Sequence, residues 1–63
     1  MITPHVKHYQ GGTCEGVACC TSEAGACLWV EYTHIERLTQ ADAMSDARNL
    51  CASINSINQE VTQ

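Results

Sequence analysis

Val17-Ala18-Cys19-Cys20-Thr21, then Ser22-Glu23-Ala24-Gly25, then Ala26-Cys27-Leu28-Trp29-Val30-Glu31-Tyr32-Thr33 reads as two strands around a small, polar, glycine-containing turn. That is the composition that closes a β-hairpin. In the second run Leu28, Val30 and Tyr32 share one face and Trp29, Glu31 and Thr33 the other, as a period of two requires. The first set is expected to face the core and the second to face outward. The strand is expected to continue or bend through His34-Ile35-Glu36-Arg37-Leu38.

Downstream the period changes. Thr39 is a good N-cap, and Asp42 stands at N3, where a carboxylate favours the helix dipole. Apolar residues then recur at Ala43, Met44, Ala47, Leu50, Cys51, Ile54, Ile57 and Val61, spaced by threes and fours, which predicts one long amphipathic helix. Upstream, His5 to Gln10 alternate weakly and end at Gly11-Gly12, which predicts a short edge strand with Pro4 at its start. The expected fold is α+β: a small antiparallel sheet, made of a hairpin with a third short strand, packed on one C-terminal helix. Residues 1–63 are expected to form a single domain.

A chain of 63 residues buries only about 60% of the surface its unfolded form exposes, which disfavours a deep cleft. There is no Phe, and the aromatic residues are Tyr9, Trp29 and Tyr32. The core must therefore come from Ile, Leu, Val, Ala, Met and Cys, and a core of that kind benefits from a staple. Five cysteines are present, at positions 14, 19, 20, 27 and 51. The segment Met1-Ile2-Thr3-Pro4-His5 has neither the basic start nor the apolar run of a signal peptide, so a cytoplasmic location with mostly free thiols is expected. No stretch approaches the run of about 20 apolar residues that spans a bilayer, so no membrane role is expected.

The formal charge is −4, seven acids standing against Lys7, Arg37 and Arg48. So few cations cannot neutralise the several phosphates that nucleic-acid affinity needs, which disfavours DNA or RNA as a direct ligand. The acidic excess suits a basic partner, such as a protein that itself grips nucleic acid.

Cysteine chemistry depends on the hairpin register. A two-residue loop of Glu23-Ala24 sets Cys20 opposite Cys27, making that pair a candidate disulfide; a three-residue loop with Gly25 left-handed sets Thr21 opposite Cys27 instead. Cys51, on the apolar helix face, is expected to meet whichever of Cys19 and Cys27 points inward. Zinc is an alternative, because His5, His8, Cys14, Cys19, Cys20, Cys27 and His34 are all ligand types. Against it, there is no Cys-x-x-Cys knuckle, and adjacent Cys19 and Cys20 point to opposite faces of a strand. A thiol enzyme would need an activated thiolate and a cleft, so no catalytic residues and no cofactor are expected.

The acids Glu15, Glu23, Glu31, Glu36, Asp42 and Asp46 carry the remaining signal. Trp29 and Glu31 on the expected outward sheet face form a candidate contact surface for a basic protein, with Glu36 and, on the exposed helix face, Asp42 and Asp46 as further contact acids.

The segment Gly12-Thr-Cys-Glu-Gly-Val-Ala-Cys-Cys-Thr-Ser-Glu-Ala-Gly-Ala-Cys27, with the acidic helix start Thr39-Gln-Ala-Asp-Ala-Met-Ser-Asp46, resembles small phage-encoded host-modulating proteins. Among these it resembles type I anti-CRISPR proteins, including the cysteine-rich inhibitors of the type I-C system. The resemblance implies a non-enzymatic inhibitor, acting in the host cytoplasm, that binds the Cascade surveillance complex through Glu31, Glu36, Asp42 and Asp46. The run Leu38-Thr-Gln-Ala-Asp-Ala-Met-Ser-Asp-Ala47 after two strands also resembles HicB-type antitoxins, which implies a small basic toxin as partner. A small zinc-stabilised structural module is the third alternative.

Overall fold

The computed structural model describes the backbone of residues 1–62 and the side chains of residues 1–57. Strand β1 (Ile2–His8), strand β2 (Cys14–Thr21), strand β3 (Cys27–Arg37) and helix α1 (Gln40–Thr62) follow one another along the chain. The three strands form one antiparallel sheet in the order β1-β2-β3. This is the expected α+β architecture. The first strand starts at Ile2, three residues earlier than expected, and stops at His8, leaving Tyr9 and Gln10 outside; Pro4 thus lies inside it, paired with Ala18. An edge strand tolerates proline there because the missing N–H can point away from the ladder.

The hairpin closes in the second of the two registers the sequence allows. Thr21 pairs with Cys27, and Gly25 has φ of 86°. The Ser22 N–H donates to Ala26 O at 2.9 Å and the Gly25 N–H to Ser22 O at 3.0 Å. A left-handed residue at the end of this loop is what glycine supplies without steric cost. Leu28 is then an extra residue in β3, because Cys20 pairs with Trp29 while Thr21 pairs with Cys27.

The helix begins as its sequence predicts. Thr39 Oγ1 accepts the Asp42 N–H at 3.3 Å, and Thr39 O accepts the Ala43 N–H at 3.2 Å. Of the expected apolar stripe, Ala43, Ala47 and Cys51 are buried and Met44, Leu50 and Ile54 half-buried, while Ile57 is exposed. Val61 lies outside the described side chains.

Where α1 crosses β2 the contact is made of small groups. A Cβ placed on Gly16 would overlap Ala43 O and come within 2.7 Å of Ala47 N, so only glycine lets the helix backbone lie on the strand. Cys14, Val17, Ala18, Ala43, Ala47 and Cys51 complete the buried apolar set. Among the described residues no large side chain is fully buried.

The Gly16 contact also fixes the faces of the sheet. Cys14, Gly16, Ala18 and Cys20 point to the helix, and so do Trp29, paired with Cys20, and Glu31, paired with Ala18. Val30 and Tyr32 pair with Cys19 and Val17 on the opposite, open face. The expectation that Leu28, Val30 and Tyr32 pack inward while Trp29 and Glu31 face away from the helix is therefore inverted. Strand alternation is correct, but it cannot say which parity the helix covers; the steric demand at Gly16 decides that.

Candidate functional site

Helix α1 lies mainly over β1 and β2, so the helix side of β3 is only partly covered. Two open depressions result between β3 and α1, and they share Leu50 and Ser53. Ile35, Asp46 and Asn49 line one end. Trp29, Glu31, Ile54 and Ile57 line the other, which has a volume of about 450 Å3. Together they make a groove with an apolar floor and two carboxylates on its walls, running beside a strand at the edge of the sheet.

The open character of β3 is general. Trp29 is 41% exposed, Val30 43% and Ile35 43%, values that leave large apolar side chains in water on both faces of one strand. A bulge bends the strand, Thr33–Ile35 standing across from the single residue Gly16. Within it His34 has φ of 62°, the left-handed region that a non-glycine residue rarely adopts.

Glu15 holds that bulge. Its carboxylate accepts the His34 N–H at 2.8 Å and the Tyr9 O–H at 2.6 Å, and it is 94% shielded, 6% of its surface remaining exposed. The Tyr9 hydrogen bond, with the His34 N–H, holds the Glu15 carboxyl below its ordinary pKa against the opposing effect of burial. The same bond, with the Glu15 charge, pushes the Tyr9 hydroxyl up to about 12. Glu15, counted from sequence only as part of the acidic excess, is thus a structural anchor. Lys7 sits beside this cluster, its Nζ 5.1 Å from the Tyr9 ring centre and 5.2 Å from that of Tyr32.

The expected contact residues do not form one surface. Trp29 and Glu31 line the groove on the helix side. Glu36 pairs with Glu15 on the open face, within 3.4 Å of the Thr13 hydroxyl. Asp42 is exposed at the helix start. Asp46 does not look outward: it accepts Arg37 Nε at 2.7 Å and Arg37 Nη2 at 3.1 Å, and its side chain is 13% exposed. Arg37 is long enough to reach α1 from the end of β3, and this bidentate pair holds Asp46 below its ordinary pKa.

The candidate disulfide Cys20–Cys27 is likewise rearranged. Cys20 points to the helix side, and the neighbour of Cys27 Sγ is Cys19 Sγ, 3.2 Å away on the open face. Cys51, on the buried face of α1, meets neither Cys19 nor Cys27, since both point away from the helix; burial pushes its thiol up. The zinc-type ligands separate into pairs: His8 Nδ1 lies 3.7 Å from Cys14 Sγ, while Cys19 lies by Cys27. Among the described residues no three His, Cys, Asp or Glu side chains converge to hold a metal ion. Among the described residues no helix is long and apolar enough to cross a membrane.

Sequence reasoning missed the helix contact at Gly16 and the structural roles of Tyr9 and His34, read only as an aromatic residue and as a ligand type. The signal for Gly16 was a lone glycine inside a strand pattern, which marks a bulge or a close backbone approach. No known family model, curated protein or solved structure matches this chain.

Proposed function

We propose that this chain is a non-enzymatic binding module that takes a basic, extended segment of a partner protein into the groove between β3 and α1. The observation that carries the reading is the groove itself: apolar floor, Glu31 and Asp46 on the walls, and an open strand edge alongside. An added strand would pair with the free backbone groups of β3, its apolar side chains meeting Trp29, Leu50 and Ile54 and a lysine or arginine meeting Glu31. Charge favours a basic occupant. With Arg37 and Asp46 paired to each other, six acids stand against Lys7 and Arg48, and Glu31 is the groove carboxylate left for a cation.

The partner class this reading favours is a nucleic-acid-handling host complex of the type I Cascade kind, with the chain as a phage-type inhibitor. The strand-strand-strand-helix order also suits the antitoxin reading, in which a small basic toxin fills the same groove.

Binding to purified type I Cascade, measured by interferometry at low and moderate salt, tests the proposal. Expected are salt-weakened binding, a loss of more than tenfold in Glu31→Lys and Trp29→Ala, and no change in Glu23→Lys on the β2–β3 turn. Binding only to a co-encoded small toxin, with the same variant pattern, would move the function to the antitoxin class. Groove variants that change self-association alone would overturn the basic-partner reading.

A further inference from the structure

Cys19 and Cys27 face each other across the β2–β3 hairpin, Sγ to Sγ 3.2 Å, on the sheet face that the helix leaves open. A disulfide bond is about 2.05 Å long, so about 1 Å of movement separates contact from bond. The extra residue Leu28 lies next to Cys27 in β3, where the ladder is already irregular and gives most easily. The other thiols are differently placed: Cys14 and Cys51 are buried, and Cys20 points to the helix side.

We infer that Cys19 and Cys27 form a covalent modification site, a dithiol that small-molecule disulfides of the oxidised glutathione class convert into an intrachain disulfide. Cys27 is exposed and reacts first. Its thiolate attacks one sulfur of the small disulfide, whose S–S bond breaks and releases one thiolate. Cys19 then gives up its proton, and its thiolate attacks the Cys27 sulfur. The mixed disulfide breaks, the Cys19–Cys27 bond forms and the second small thiol leaves. Two electrons pass to the small disulfide, and the two protons lost from the protein thiols appear on the released thiols. The hydrogen bond with Cys27 raises the pKa of Cys19, which agrees with Cys19 reacting second.

The product closes a short loop around the turn Ser22–Ala26 and pins the start of β3 two residues before Trp29. This inference stands on the open sheet face and does not depend on what fills the groove.

The test is equilibration of the full chain in a reduced and oxidised glutathione buffer, followed by acid quench, alkylation and intact mass. The expected product is about 2 Da lighter than the reduced chain, through loss of two hydrogens. Cleavage after glutamate should then recover segment 16–23 joined to segment 24–31. Because the first segment holds both Cys19 and Cys20, single variants assign the bond. Cys20→Ser should still close, whereas Cys19→Ser should stop at a glutathione adduct on Cys27. Closure should be more than tenfold faster in the folded chain than in urea, and should raise the midpoint of thermal unfolding by roughly 5–10 °C. Circular dichroism of each variant separates a missing thiol from a missing fold. A bond through Cys20, Cys14 or Cys51, or a folded wild-type chain that keeps a glutathione adduct on Cys27, would overturn the inference.

Discussion

The β2–α1 crossing and strand β3 are built on opposite plans. At the crossing, Gly16, Ala18, Ala43 and Ala47 bring two backbones together with almost no side chain between them, and every one of these residues is buried. Along β3 the residues are large, β-branched or aromatic, and all but Thr33 are exposed. A sequence scanned for bulky apolar residues alone would place the core at β3. The molecule instead gains its close packing from small residues and holds its bulky ones at the surface, where they are free to meet another molecule.

The most damaging change to this division should be Gly16→Val. Its side chain has to displace the α1 backbone, and a cost of about 3 kcal/mol is expected, against a total stability of roughly 3–9 kcal/mol for a chain this short. Urea unfolding followed by circular dichroism measures it, and a loss no larger than that of a β3 surface substitution would break the comparison.

Glu15→Gln comes next. It leaves the His34 N–H facing an amide in place of a carboxylate and weakens the Tyr9 bond, for an expected loss of about 2 kcal/mol near neutral pH. The sign of the pH dependence follows from the lowered carboxyl pKa. The Glu15 contribution is complete above the ordinary carboxylate pKa and is lost as pH falls through the depressed folded value. The stability gap between wild type and variant should therefore narrow in acid. Ultraviolet titration sharpens the assignment, because the Tyr9 hydroxyl, which the Glu15 bond pushes up to about 12, should shift back toward the ordinary range in Glu15→Gln.

Trp29→Ala should separate the two regions most directly. With Trp29 41% exposed, its truncation should cost about 1 kcal/mol of stability or less. The loss of more than tenfold expected in partner affinity would be out of proportion to that. Equal losses in both would make Trp29 a core residue and remove β3 from the recognition surface.

The smallest effect should come from Arg37→Ala. Arg37 and Asp46 form a bidentate pair at the rim, so its removal should produce a shift in the unfolding midpoint that is detectable at low salt and vanishes at high salt.

Much of the architecture was legible before any coordinates. The Thr39 cap, the period of α1 and the glycine turn at Ser22–Ala26 are local signals, each depending on residues within a few positions of one another. The candidate site was legible only in its parts. Trp29 and Glu31 were identified as a same-face pair, and they do share a face, but on the other side of the sheet. Asp46 was read as a free surface acid because Arg37, nine positions away in the chain, belongs to another element. Glu15 was counted only in the acidic excess, because its partners Tyr9 and His34 come from other parts of the chain on either side of it.

Local chemistry along the chain thus settled the order of elements, the helix start, the turn and the alternation of each strand, since those follow from backbone sterics and hydrogen bonds between near neighbours. The hairpin register, fixed by the turn, set Cys19 beside Cys27. Long-range packing settled the rest: which strand face the helix covers, and that Asp46 meets Arg37 instead of water. Those two outcomes hinge on where α1 comes to rest, and it rests where Gly16 offers no side chain to hold it off.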